Sequence, residues 1–133
     1  MFYKCYYLTS LDLTSFTNNK INNMRYFKCE SLKSIKFSDN FDTQLVTNME
    51  SVFSGCKELT SLDLSKWNTK AVKTMDTMFY DCISLSSLEL PTNENSFDSL
   101  ETMVGMFDYT ILLKSLNFSK YKPPTTLTAM SAA

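Results

Sequence analysis

The sequence contains no histidine. That removes the commonest general base and the commonest zinc ligand. Only two glycines occur, Gly55 and Gly105, so no glycine-rich loop is available to cradle a phosphate. No apolar run approaches the roughly 18 residues of a membrane-spanning helix; Thr110-Ile111-Leu112-Leu113 is typical of the longest. Charge of one sign is not concentrated either. Thirteen basic residues are interspersed with 14 acidic ones, for a net charge of −1. Nucleic acid is therefore not an expected partner, and direct insertion of this segment into a membrane is not expected. The opening Met1-Phe2-Tyr3-Lys4-Cys5 lacks the basic stretch and apolar core of a signal peptide.

What is present is a repeat. The chain has 133 residues and is 44% hydrophobic, enough for one folded core. Its four cysteines, Cys5, Cys29, Cys56 and Cys82, are spaced 24, 27 and 26 residues apart, and Thr110 takes the same place 28 residues further on. Three residues after each comes Leu8, Leu32, Leu59, Leu85 and Leu113. Three more give Leu11, Ile35, Leu62, Leu88 and Leu116, and two more give Leu13, Phe37, Leu64, Leu90 and Phe118. A large aromatic follows in each copy: Phe16, Phe41, Trp67, Phe97 and Tyr121. Then comes an aliphatic three residues before a methionine, as in Val46/Met49 and Val72/Met75, and Leu127/Met130 begins a sixth round. A phenylalanine just before the cysteine position closes the unit, at Phe2, Phe27, Phe53, Phe79 and Phe107. All eight methionines fall on two repeat positions. The whole of 1–130 reads as a single array, with copies near 1–24, 25–49, 50–75, 76–103 and 104–130 and a tail at 131–133.

Each copy carries two signals. In Ser61-Leu62-Asp63-Leu64-Ser65 apolar and polar residues alternate, the period of a short strand with one buried face. In segment 75–82, Met75, Met78, Phe79 and Cys82 fall at i, i+3, i+4 and i+7, the apolar stripe of a short helix. One strand and one helix of this size cannot bury themselves alone, but stacked copies can. The expected fold is therefore an α/β solenoid of about five coils, with one short parallel strand and one short helix per coil. Met1 falls where Met78 falls, in mid-unit, so the chain is expected to start inside a coil of a longer array.

The pattern Leu-x-x-Leu-x-Leu resembles the leucine-rich repeats, although an aromatic such as Trp67 stands where their commonest form has asparagine. The full unit, seen best in 75–90 and 53–69, is similar to the BspA-like class of leucine-rich-repeat surface proteins. That resemblance covers residues 1–130. It implies a cell-surface or secreted protein that binds other proteins, in adhesion or host contact.

Candidate functional positions follow from the array. The outward strand residues are Ser10 and Asp12, Ser34 and Lys36, Ser61 and Asp63, Ser87 and Glu89, and Ser115 and Asn117. Side by side they make a polar, mildly acidic face. It reads either as a protein-binding surface or as an ordinary solvated face with small serines for tight lateral spacing. None of its serines has a histidine or a suitably placed lysine to activate it, so no catalytic residue is assigned and the chain is not expected to be an enzyme. The residues after the cysteine position are mostly polar in the middle copies, as in Lys57-Glu58, but are Tyr6-Tyr7 in the first and Ile111-Leu112 in the fifth. These end positions read either as contacts beyond the array or as drift in terminal copies. The cysteines read as a ladder of small buried hydrophobes; spacings of 24–27 without histidine do not fit zinc, and parallel Cβ vectors disfavour disulfides down the ladder. No metal or cofactor is expected. Segment 91–96 reads as a loop, either a tolerated insertion or a binding loop, and Asn117-Phe118-Ser119 is a lone glycosylation sequon that chance accounts for. The leading expectation is a non-catalytic scaffold that binds a protein ligand through its strand face at the cell surface. The alternative is a cytoplasmic structural segment of a larger assembly, held through its open ends by flanking repeats or end-to-end contacts.

Overall fold

A computed structural model describes residues 5–16, 21–25, 28–93 and 96–116. The expectations placed on Met1, Phe2, Phe27, Asn117, Phe118, Tyr121, Leu127, Met130, Asn95 and the tail lie outside the described residues.

The alternating segments are strands, as their period requires: β1 (Ser10–Leu13), β2 (Ser34–Phe37), β3 (Ser61–Asp63) and β4 (Ser87–Glu89). They pair in parallel as two sheets of two strands, β1 with β2 and β3 with β4. The register keeps repeat positions together, with Leu11 opposite Ile35 and Leu62 opposite Leu88. A second line of contact crosses the chain as isolated parallel bridges, Asn23 to Asn48, Asn48 to Thr74 and Thr74 to Thr102.

The expected α/β solenoid is corrected here. Among the described residues there is no helix, and the strands form two small separate sheets rather than one continuous face. No strand-and-helix solenoid is formed. The reason lies in how the segments read as helical spend their backbone hydrogen bonds. A helix needs each N–H to reach the carbonyl four residues back. In 49–56 alternate N–H groups go to the next copy instead: Met49 to Thr74, Ser51 to Asp76, Phe53 to Met78 and Gly55 to Tyr80, at 2.8–3.0 Å. Of the intervening ones, Val52, Ser54 and Cys56 bond three residues back, to Met49, Ser51 and Phe53. The segment is a run of turns, not a helix.

Left-handed residues keep it so. Ser51, Thr77 and Gly105 share one repeat position with φ of 56°, 51° and 60°. Gly55, Asp81 and Tyr109 share another, four residues on, with φ of 74°, 58° and 61°. An α-helix cannot pass through such residues. At Gly105 a side chain would add crowding to strain, since a Cβ there would sit 2.9 Å from the Asp108 carboxylate. The Ser51 and Thr77 hydroxyls lie 2.7 Å apart, so the non-glycine residues at that position bond to each other across copies.

The apolar stripe was nevertheless a true burial pattern. Met75, Met78, Phe79 and Cys82 are all buried, as are Leu32, Leu59, Leu85, Val46 and Val72. Equivalent side chains lie on one another. Phe53 stacks on Phe79 at 5.8 Å with the rings 4° from parallel, and Phe79 stacks on Phe107 at 5.4 Å. Trp67 packs against Phe41 and, edge-on, against Phe37. Fully burying one such ring contributes on the order of 2–3 kcal/mol relative to exposure.

Candidate functional site

The outward strand residues come together as their alternation predicts. Ser10 lies opposite Ser34 and Asp12 opposite Lys36; Ser61 lies opposite Ser87 and Asp63 opposite Glu89. All eight are exposed, as is Ser115, which no strand contains. Asn117 lies outside the described residues. Parallel neighbours sit about 4.8 Å apart, so the second sheet holds two carboxylates side by side while the first pairs a carboxylate with an ammonium.

Two of these carboxylates also have local work. Asp12 Oδ1 accepts the Thr14 backbone N–H at 2.9 Å and the Thr14 hydroxyl at 2.6 Å. Asp63 Oδ1 accepts the Ser65 N–H at 2.9 Å. Each bond caps the turn that leaves the strand. The Thr14 hydroxyl and amide, with a smaller contribution from Lys36, hold the Asp12 carboxyl below its ordinary value. Ser65 does the same for Asp63, with Lys66 adding to it. Both are ionised at neutral pH and are poorly poised to deliver a proton there.

The same device recurs at other corners, where Asp42 accepts from Gln44, Asn48 from Glu50 and Asn68 from Lys70. The sequence reading missed these caps. Their signal is an Asp or Asn two residues before the amide it captures. It also passed over the exposed Tyr80, Ile83, Val104 and Tyr109. Tyr80 and Tyr109 meet edge to face at 5.3 Å. Ile111 and Leu112, which follow Tyr109 closely in the chain, are exposed, as are Tyr6 and Tyr7.

A cavity among Met49, Trp67, Thr69, Met78 and Phe97 measures about 10 Å³, at most the space of one water. Trp67 Nε1 and Thr69 Oγ1 are buried there without a protein partner. Among the described residues no three His, Cys, Asp or Glu side chains converge on a metal position. None of the four cysteines is in a disulfide, and Cys29, Cys56 and Cys82 are buried while Cys5 is half-buried. Burial, reinforced by the neighbouring thiols of Cys56 and Cys5, pushes the Cys29 thiol up to about 12. Burial pushes Cys56 to about 11 and raises Cys82 as well. Such thiols are not nucleophiles at neutral pH. Among the described residues no helix is long and apolar enough to cross a membrane.

Comparison with curated proteins and with solved structures gives no match. A family model described as "Mycoplasma protein of unknown function, DUF285" matches residues 1–121. That family does not indicate BspA-like leucine-rich repeats. With no helix and no strand-and-helix solenoid among the described residues, the leucine-rich-repeat description is corrected on both counts. The match covers nearly the whole chain, and the protein belongs to this family of mycoplasma proteins of unknown function.

Proposed function

We propose that the chain is a non-catalytic scaffold that binds a protein ligand through the exposed polar face of its strands. The observation that carries this reading is the register of β3 and β4, which sets Asp63 beside Glu89 and Ser61 beside Ser87 on one exposed surface. Like charges directly opposite one another destabilise a sheet, so folding gains nothing from the Asp63–Glu89 pairing. A ligand presenting Lys or Arg side chains would relieve it. The backbone holds the face in place before binding, so little ordering entropy is lost on contact. The buried thiols are unionised, and the lowered Asp12 and Asp63 carboxyls hold no proton to donate at neutral pH. Adhesion to a host or partner cell is the setting proposed for this contact.

The test separates charge from fold. Asp12→Asn, Asp63→Asn and Glu89→Gln combined remove three charges but keep the oxygen acceptors that cap the turns. The immobilised wild-type chain is exposed to a detergent extract of host-cell membranes, and a protein it retains is identified and titrated. The triple variant is expected to bind that protein at least about tenfold more weakly with an unchanged melting temperature. Unchanged affinity would exclude the strand face.

A further inference from the structure

A hydrogen bond made between the second and third copies is not made between the third and fourth. Thr43, 1% exposed, presses its hydroxyl against the next copy. Its Oγ1 accepts the Asn68 backbone N–H at 2.7 Å and donates to the Asn68 carbonyl at 3.0 Å. Thr69 holds the same repeat position one copy on and is also 1% exposed. Both threonines open the same turn, their carbonyls accepting the Val46 and Val72 N–H groups. In the fourth copy the carbonyl that opens this turn, accepting from Leu100, is that of Phe97. Phe97 therefore takes the place of the threonine, and Ser96 the place of Asn68. The Ser96 amide is thus the one that repetition assigns to Thr69. It bonds within its own segment instead, to the Asn93 carbonyl at 3.2 Å, and the Ser96 hydroxyl donates to the same carbonyl at 2.7 Å. Thr69 Oγ1 is left buried without a protein partner.

Trp67 Nε1 is buried without a protein partner as well. Trp67 and Thr69 are both buried with the half-buried Asn68 between them, so their side chains enter the core on the same side. Both line the cavity of about 10 Å³, whose other walls are apolar side chains such as Met49, Met78, Pro91 and Phe97. A buried polar group left unpaired is costly. A cavity holds a water when it offers roughly 10 Å³ or more and at least two polar partners. We propose that this cavity is a binding site for one water molecule, which accepts from Trp67 Nε1–H and exchanges a hydrogen bond with the Thr69 hydroxyl. The two groups suit one water, since the indole N–H only donates and a hydroxyl does either. The water gives Thr69 the partner that the Ser96 amide is to Thr69 what the Asn68 amide is to Thr43, and so completes the junction where segment 91–96 departs from the repeat. The site lies in the core and does not rest on the ligand-binding role of the strand face.

The test counts long-lived waters in the full chain by oxygen-17 magnetic relaxation dispersion of the solvent, which hydroxyl exchange does not mimic. Wild type is compared with Thr69→Val, which keeps the shape and loses the hydroxyl, and with Thr69→Ser, which keeps the hydroxyl. The dispersion amplitude is expected to fall by that of one water in Thr69→Val and to stay at the wild-type level in Thr69→Ser. Circular dichroism melts establish that both variants fold. A high-resolution crystal structure of wild type is a second measurement that needs no variant, and it is expected to place a water within about 3.2 Å of both Trp67 Nε1 and Thr69 Oγ1. Equal amplitudes in wild type and folded Thr69→Val, a Thr69→Ser amplitude as low as that of Thr69→Val, or a crystal structure with a dry or closed cavity would each overturn the proposal.

Discussion

The hydroxyl of Thr110 donates to the Phe79 carbonyl at 2.7 Å. One copy earlier, the Cys82 thiol makes the same bond to the Phe53 carbonyl at 3.1 Å. The break in the cysteine column is thus a conservative exchange of one small buried donor for another. Thr110→Cys is expected to leave stability within about 0.5 kcal/mol of wild type. Thr110→Val keeps the shape but loses the donor and is expected to cost about 0.5–1.5 kcal/mol. Urea denaturation distinguishes them, and equal losses for the two would show that the bond is energetically silent.

The raised thiols set a pH dependence. A free thiol ionises near pH 8.5 in the unfolded chain, whereas Cys56 and Cys29 in the folded protein do so at about 11 and about 12. The folded state holds these protons after the unfolded state has released them. The stability they contribute is complete below about pH 8.5 and is lost as pH rises toward the folded values. Each thiol contributes a slope of at most about 1.4 kcal/mol per pH unit in that window. The midpoint of urea unfolding is expected to hold steady from pH 7 to 8 and to fall between pH 9 and 10.5. Cys56→Val is expected to fall less steeply, and a slope identical to wild type would remove this thiol from the account.

Turns in place of helices have a spectroscopic consequence. Alternate amides of 49–55 bond to 74–80, and those of 75–81 bond to 102–108. No described segment holds consecutive bonds of the four-back type, so far-UV circular dichroism is expected to lack the paired minima of α-helix. A helical spectrum from the folded chain would contradict the turn assignment.

The repeat and the burial pattern were legible in the sequence because both rest on side-chain chemistry recurring at fixed spacing. Leu59, Leu85, Phe53 and Phe79 are buried at the positions the spacing marks. The strands were legible because Ser61-Leu62-Asp63 alternates and only an extended chain puts alternate residues on opposite faces. The conformation of 75–82 was not legible. Burial at i, i+3, i+4 and i+7 is met equally by a helix and by a run of turns, and nothing about Thr77 or Asp81 announces a left-handed backbone. The two glycines held the missing signal. Gly105 shares its repeat position with Thr77, and Gly55 shares its position with Asp81. Pooling the copies would have marked both positions as turns. The outward placement of Asp12, Lys36, Asp63 and Glu89 was read from the same alternation, whereas the turn-capping role of Asp12 and Asp63 depends on backbone geometry after the strand.

The strand face as the ligand surface is tested most directly by carboxyl footprinting of the chain, free and bound to the protein it retains. Carbodiimide coupling of a small amine reports the accessibility of each carboxylate. The account predicts that Asp12, Asp63 and Glu89, all exposed in the free chain, become protected on binding, while Asp98 and Asp108 label as before. Protection of Asp108 beside the Tyr109–Leu112 corner, with Asp63 and Glu89 still labelling at their free rate, would contradict it.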